Sequence, residues 1–380
     1  MINRKQLRRG LVFSLALAIV VMTAIALYAD LPRLFSVLAH FRWEFLPLIL
    51  GLTLYNYFWR FIKWQYYLRR LSIGIAWRKS LLIFISGLSM AITPGKVGEL
   101  LKCYLLKRST GEAISRTSPV VMCERMTDGI AMLGLSATGL ILYHYGIELL
   151  VAFLVIVFTG IAIIQNRRIA LALINFGERL PFLYRIAHLI RNFYESAYIL
   201  LQWRPLLLAI TIGLISWSGE CGALYFVFAG LGLGFSFDLF LKATFILAFS
   251  SIVGSATGLP GGLGTADGSM LGLIRLLVTT STAIGGAATL LIRLCTLWFG
   301  LGLGVVALII YRAMEREIPA QDAIHLAPTV PPVGRADLQE QAQEGLEGQS
   351  ANGSGILPVS GRAPDVPAAS ASMSTGDKVV

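Results

Sequence analysis

Long apolar runs recur along the chain, and each is about as long as a helix that crosses a bilayer. A spanning helix takes roughly 20 predominantly apolar residues. The pattern predicts an all-α polytopic membrane protein with about six spans and two broken helical hairpins. The predicted spans are residues 11–27, 45–63, 118–145, 149–165, 205–231 and 283–311.

The first run has features of both a signal peptide and an uncleaved membrane anchor. The segment Ala24-Ile25-Ala26 would suit a signal peptidase. The apolar run continues beyond that segment, which favours an anchor, and cleavage stays open as the alternative. The basic residues that precede the run are Arg4, Lys5, Arg8 and Arg9.

Basic residues between the runs predict the orientation of the spans, because loops rich in Lys and Arg stay in the cytoplasm. The loops near Asp30, His144 and Asp238 are poor in both. We therefore expect both termini in the cytoplasm and the protein in the cytoplasmic (inner) membrane of a bacterium. The predicted cytoplasmic positions are the N-terminal basic cluster, Arg60, Lys63, Arg69, Arg70, Arg78, Lys79, the stretch 167–204, Arg312 and Arg316.

Two segments, 81–106 and 239–278, differ from simple spans, because each contains a Pro-Gly break between two apolar helices. The breaks match one another as P-G-[KG]-[VL]-G, and their prolines lie 166 residues apart. Proline removes a backbone donor and glycine frees φ, so this motif interrupts a helix. The helix-breaking residues are Pro94, Gly95 and Gly98 in the first segment and Pro260, Gly261, Gly262 and Gly264 in the second.

Each break is followed by an acidic residue and then by an arginine in a long span: Glu99 with Arg125, and Asp267 with Arg293. In the predicted orientation the two hairpins enter from opposite sides, as in transporters built from inverted repeats. Helix N-termini after the breaks would point positive dipoles into a shared cavity that can receive an anionic phosphate. A five-residue match can also arise by chance, because Gly and Pro are common in membrane helices.

Charged residues within the span predicted at 118–145 indicate a polar cavity, because a charge at such depth is costly unless it is paired or hydrated. Glu124 and Asp128 are four residues apart and share one helix face, whereas Arg125 is turned away from them. The alternative is that these side chains snorkel to the cytoplasmic surface from the start of the span.

The charged residues near the breaks and inside the spans form the candidate site. The cations could hold a lipid phosphate, and the carboxylates could neutralise the cations or carry protons. Pairing among them would equally serve stability. We predict no catalytic, metal or cofactor site. The candidate cations are Lys96, Lys102, Arg125 and Arg293, and the candidate carboxylates are Glu99, Glu124, Asp128, Glu220 and Asp267.

The composition narrows the class of protein. Of the 380 residues, 56% are hydrophobic and 14% are charged, whereas soluble domains are about one quarter charged. Residues 1–316 carry a net charge of +16, and residues 317–380 carry −5. Such an apolar, basic body excludes a water-soluble enzyme and argues against nucleic-acid binding. The excess cations fit topology control and contact with anionic lipid.

The chain is predicted to divide into a membrane domain, 1–316, and a disordered acidic cytoplasmic tail, 317–380, which is rich in Pro, Ala, Gly, Ser and Gln. The half-repeats would cover 45–165 and 205–312. Between them, at 166–204, the apolar spacing predicts an amphipathic helix on the inner leaflet. This segment would be a connecting elbow or, alternatively, a lipid-sensing element.

Scattered cysteines and histidines predict no disulfide or metal site.

Three motifs carry a resemblance to a known family. TPGKVGE at 93–99, CERMTD at 123–128 and LPGGLGTAD at 259–267 resemble the flippase-like membrane family named after the transmembrane region of lysylphosphatidylglycerol synthases. The resemblance covers roughly residues 8–312 and implies a polytopic inner-membrane domain associated with lipid flipping. Two features depart from it. No aminoacyltransferase domain follows the membrane body, so aminoacyl transfer should be missing, and Asp267 stands where we expect Glu.

The leading hypothesis is a lipid flippase or flippase-like transporter, not an enzyme, that handles an anionic phospholipid or a polyprenyl- or glycolipid. Membrane lipids would be its ligands. The alternative is a non-catalytic membrane accessory subunit that partners a lipid- or glycan-modifying transferase. A third hypothesis, intrinsic transferase activity, would have only buried carboxylates available as a base.

Overall fold

The computed structural model describes residues 30–93, 98–143, 159–168 and 187–316, with isolated positions between 19 and 28 and at 151 and 155. Within these residues the regular structure is helical and contains no strand, which confirms the predicted all-α fold. The tail at 317–380 lies outside the described residues. The helices are α1 Leu31–Ala39, α2 Leu46–Arg70, α3 Trp77–Leu88, α4 Leu101–Thr110, α5 Ile114–Tyr143, α6 Ala187–Leu200, α7 Trp203–Gly230, α8 Phe237–Ala256, α9 Thr265–Leu277, α10 Thr282–Arg293 and α11 Phe299–Arg316.

Four helical segments among the described residues are long and apolar enough to cross a membrane: Trp43–Arg70, Trp203–Gly230, Phe237–Ala256 and Thr282–Glu315. Three of them overlap predicted spans. The third in chain order contains α8, which the sequence pattern placed in a broken hairpin. In addition, α5 has 30 residues and covers most of the span predicted at 118–145. The spans predicted at 11–27 and 149–165 lie largely outside the described residues.

The first hairpin has two short arms. Helices α3 and α4 contain 12 and 10 residues, or about 18 and 15 Å at 1.5 Å per residue. A bilayer core is roughly 30 Å thick, so neither arm can cross it alone. The predicted breakers Pro94 and Gly95 and the candidate ligand Lys96 lie at 94–97, outside the described residues. After this segment, the Gly98 N–H donates to Thr93 Oγ1 at 2.8 Å.

The second hairpin has a longer first arm. Helix α8 contains 20 residues and α9 contains 13. Between them the helix is interrupted at Pro260–Gly262, where the P-G-G-L-G motif occurs. Gly261, Gly262 and Gly264 have φ values of 62°, 67° and 85°. Glycine adopts this left-handed backbone without strain, which explains why the motif turns the chain here.

The predicted span at 283–311 is one long helix with an irregularity. A π-helical turn, Leu294–Trp298, joins α10 to α11 directly after Arg293. Such turns are rare and are frequently found at functional sites. The two ends of this helix contact different hairpins: α10 packs against α9, and α11 packs against α3. At the α3 contact the backbones approach closely, since a Cβ on Gly304 would lie 2.8 Å from the Leu88 carbonyl carbon.

Helices α2 and α7 are joined by a reciprocal pair of hydrogen bonds. Asn56 Nδ2 donates to the Ser216 carbonyl, and Ser216 Oγ donates to the Asn56 carbonyl, both at 3.0 Å. Interhelical hydrogen bonds in membranes contribute about 0.6 kcal/mol each on average. This pair fixes the register of the two helices that carry Arg60 and Glu220.

The connection between the two halves contains α6. Its side chains Tyr194, Ala197 and Leu200 are buried, and the helix packs against α5. The apolar side of α6 therefore contacts protein, whereas the sequence pattern placed it on the inner leaflet. The start of that predicted helix, at 181–186, lies outside the described residues.

Candidate functional site

A cavity of about 160 Å³ lies where α2, the first hairpin, α5, α7 and the second hairpin meet. The glycines of the second break, Gly261 and Gly262, form part of its wall, and so do Thr296 and Leu297 of the π turn. Its charged lining side chains are Arg60, Glu99, Lys102, Arg125, Glu220 and Arg293. The fold thus places five of the sequence-derived candidates around one cavity and adds Arg60 to them.

Arg125 joins the first hairpin to α5. Its Nε lies 3.2 Å from Glu99 Oε2, and its Nη2 lies 3.1 Å from Asp128 Oδ2. The acid that follows the first break therefore pairs with the arginine of the next long helix. Because these carboxylates are buried, the pairing offsets the cost of removing each charge from water.

Asp128 also receives two cations from α2. Lys63 Nζ donates to Asp128 Oδ1, and Arg60 Nε lies 4.0 Å from Asp128 Oδ2. The prediction that Arg60 and Lys63 lie in a connection between spans is wrong, because α2 continues to Arg70; within it Lys63 is fully buried and the Arg60 side chain is 12% exposed. Burial is possible because a carboxylate on α5 meets them. The cytoplasmic side stays a prediction.

Lys102 and Glu124 form a second buried pair. Lys102 Nζ lies 2.5 Å from Glu124 Oε2. The ammonium also lies 4.8 Å from the centre of the Trp64 ring and 5.3 Å from that of Phe84, within the range of cation–π attraction. Glu124 is buried within the protein and paired across helices, which accounts for its charge without snorkelling.

Arg293 holds the second break. Its Nε donates to Asp267 Oδ1, and its Nη1 donates to the Gly261 carbonyl at 3.3 Å. Asp267 is fully buried, and its Oδ2 accepts the Gly264 N–H at 2.9 Å, which caps α9. The second half thus repeats the arrangement of the first, in which an acid after the break pairs with an arginine on a following helix.

Two cavity residues are held less tightly. Glu220 is 8% exposed, and it makes no hydrogen bond or ion pair with any other residue that the structure describes. The closest acidic contact of Arg60 is the 4.0 Å approach to Asp128, and its guanidinium carbon lies 5.9 Å from the centre of the Trp217 ring. Neither Glu220 nor Arg60 forms a short contact with an oppositely charged group, so both side chains can contact a ligand in the cavity.

Sequence patterns missed Arg60 and Lys63. Both fall at the end of the run predicted to stop at residue 63, where basic residues normally set topology. The sequence did contain a signal: Arg60 and Lys63 lie nine and six residues before Arg69, which with Arg70 ends α2. Predicted candidate Lys96 lies outside the described residues, so its position relative to the cavity stays a prediction.

Comparison with known proteins places the membrane body in one family. The family described as "Lysylphosphatidylglycerol synthase TM region" matches residues 11–304. UPF0104 membrane protein MJ1078 of Methanocaldococcus jannaschii is 26% identical over 198 residues, which cover 49% of this chain and 78% of that protein. A UPF0104 membrane protein of Methanothermobacter thermautotrophicus is 24% identical over 275 residues, covering 65% and 79%. The chain therefore belongs to the lysylphosphatidylglycerol synthase TM region family of membrane proteins.

Proposed function

We propose that the protein is a lipid flippase of the cytoplasmic membrane that carries an anionic, phosphate-bearing headgroup through the cavity. The observation that supports this proposal most is that arginine side chains near a helix break have hydrogen-bond donors that no protein acceptor uses. Within the described residues Arg293 Nη2 is buried and has no hydrogen-bond acceptor. Arg60 lines the same cavity with only a long contact to Asp128. Guanidinium groups bind phosphate oxygens with strong, directional hydrogen bonds.

The other predicted cations have a different part in this proposal. Lys102 is engaged by Glu124, and Arg125 is engaged by Glu99 and Asp128. A phosphate could bind to either of them only by competing with a carboxylate at short range, whereas Arg293 meets its one carboxylate, Asp267, through Nε and keeps Nη2 without an acceptor. We assign these pairs to maintaining the shape of the cavity and assign Arg60 and Arg293 to the headgroup.

The size of the cavity is consistent with a headgroup and not with a whole lipid. Pockets that enclose drug-sized ligands measure about 300–1,000 Å³, whereas this cavity measures about 160 Å³. The acyl chains would therefore remain in the bilayer while the headgroup passes between the two hairpins. Transport is preferred to catalysis because four of the five candidate carboxylates are already paired with cations.

Flipping can be measured with purified protein in phosphatidylcholine vesicles. A membrane-impermeant reductant would report the outer-leaflet fraction of fluorescent phosphatidylglycerol, phosphatidic acid, a polyprenyl phosphate or uncharged diacylglycerol. We expect the wild type to move a phosphate-bearing lipid and not diacylglycerol. Arg60→Gln should slow this by about tenfold, the effect of one lost charge-assisted hydrogen bond. Arg33→Gln, which changes an arginine exposed at 79%, should leave the rate unchanged.

Absence of wild-type movement across this lipid panel would contradict the proposal. Stable co-purification with a lipid- or glycan-modifying transferase, whose activity persists when Glu124 and Asp128 are neutralised together, would support the accessory-subunit alternative instead.

The proposed orientation has its own test. Arg78 lies in the first turn of the first hairpin, Asp238 lies in the first turn of the second, and both are exposed. If both termini are cytoplasmic, a cysteine in place of Asp238 should react with an impermeant maleimide on intact cells. A cysteine in place of Arg78 should react only after permeabilisation. The native cysteines are buried, so the unchanged chain serves as the background control, and the reverse labelling pattern would contradict the orientation.

A further inference from the structure

Glu220 differs from the other four carboxyl groups of the candidate site. Glu99, Glu124, Asp128 and Asp267 each form an ion pair with Arg or Lys. Glu220 is 92% buried and lines the cavity, but it has no hydrogen bond or ion pair among the described residues. A buried ionised carboxylate without a direct partner is costly, and intramembrane groups of this kind mark proton relays and substrate pathways.

The charged and titratable groups around Glu220 lie on three of the helices that pack against α7. Helix α2 presents Arg60 and Tyr57, α5 presents Arg125 and Asp128, and α10 presents Arg293. Helix α8 contributes Ser251 and Ser255 to the same cavity wall. Of the three arginines, Arg125 is shared between two carboxylates, Glu99 and Asp128, whereas Arg293 pairs with one, Asp267, and Arg60 approaches Asp128 only to 4.0 Å. Arg60 and Arg293 therefore supply the positive potential that an ionised Glu220 can use.

These are the same two arginines that the proposed function assigns to the phosphate. In the empty cavity they stabilise the ionised carboxylate at a distance. When a phosphate occupies their donors, their charge is offset, and the phosphate itself repels a second anion nearby. Glu220 then has no compensating charge and is favoured in its neutral form. Headgroup binding and proton binding are in this way thermodynamically linked, and each strengthens the other.

We propose, on the basis of the proposed function, that Glu220 is the proton carrier that couples headgroup transport to a proton gradient. As the headgroup binds, one proton from the more acidic compartment bonds to a carboxylate oxygen of Glu220. As the headgroup leaves on the other side, that O–H bond breaks and the proton enters the second compartment. One proton moves with each headgroup, and no electron transfer is involved.

An equilibrium measurement separates coupled transport from passive flipping. Vesicles with fluorescent phosphatidylglycerol would be given a difference of one pH unit, with the membrane potential clamped by potassium and valinomycin. At one proton per headgroup, the lipid should redistribute between leaflets towards a ratio of about ten. This ratio does not depend on the orientation of the protein in the vesicle. Protein-free vesicles set the background.

Variants of Glu220 assign the coupling to this residue. Glu220→Gln should abolish the redistribution, and Glu220→Asp, which keeps a carboxyl group, should retain it in part. Glu44→Gln changes an exposed glutamate and should behave as the wild type. If the wild type flips lipid but reaches equal leaflet populations, or if Glu220→Gln still accumulates lipid, the inference is overturned while the proposed function stands.

A spectroscopic measurement tests the inference without transport. Infrared difference spectra of the wild type at constant pH should show a protonated-carboxyl band that grows as inorganic phosphate is added. The band should shift in Glu220→Asp and be missing in Glu220→Gln. A wild type that gives no such band overturns the inference, whether or not either variant folds. Failure of all lipid movement would instead count against the proposed function.

Discussion

Asp128→Asn should destabilise the protein by about 3–5 kcal/mol, the usual cost of leaving buried charges without their partner. The Asp128 carboxylate meets Lys63, Arg125 and, at longer range, Arg60. Lys63 is fully buried, and its remaining polar contact is Thr127 Oγ1 at 3.4 Å. Asparagine preserves the volume but removes the charge, so the Lys63 ammonium is left in an apolar interior.

Thermal unfolding in detergent measures this effect, and the midpoint should fall by on the order of 10 °C. Asp238→Asn is the matched control, because Asp238 is exposed and pairs only with Lys242 one turn away. Lys63→Met combined with Asp128→Asn should recover part of the loss. A midpoint for Asp128→Asn within two degrees of the wild type, a margin of about 1 kcal/mol, would show that the carboxylate is not the partner of these cations.

Lys102→Met should have an effect of similar size for a related reason. The substitution leaves Glu124 buried beside Trp64 and Phe84 without its 2.5 Å partner. The methionine side chain retains most of the apolar contact with both rings, so the loss reports the charge and not the packing. We expect about 3–5 kcal/mol, measured by the same unfolding assay.

The double variant Lys102→Met with Glu124→Gln decides whether the pair acts as a unit. Replacing both partners removes the unpaired charge, and stability should return to within about 1–2 kcal/mol of the wild type. Lys107→Met on the same helix changes an exposed lysine and should be nearly neutral. If the two single losses simply add in the double variant, the proposed ion pair does not exist in the folded protein.

The helical class and the second helix break could be predicted from the sequence because their causes are local. Long apolar runs favour membrane helices, and Pro-Gly motifs interrupt them wherever they occur. The two acid–arginine associations were also accessible, because Glu99 with Arg125 and Asp267 with Arg293 follow their breaks at comparable offsets. One break motif alone would not have indicated these acid–arginine pairs, whereas the second, similarly spaced copy did.

Which of the buried cations is least paired with carboxylates could not be predicted from the sequence, because this depends on which helices are neighbours. Lys102 and Arg125 were predicted as phosphate ligands, yet both lie against carboxylates on α5 or the first hairpin. Arg60 was treated as a topology signal, yet it lies at the cavity because α2 runs beside α5 and α7. A linear pattern gives the number of buried charges, whereas their pairing follows from packing.

The π turn at Leu294–Trp298 sets the angular phase between the two hairpins. Each residue of an α-helix turns the chain by about 100°, so the extra residue rotates α11 relative to Arg293 by nearly a third of a turn. Arg293 faces the second break, and Gly304 faces the end of α3. If the chain were one residue shorter here, it would keep one of these contacts and lose the other. The relative rotation of the two breaks is thus encoded in a five-residue segment.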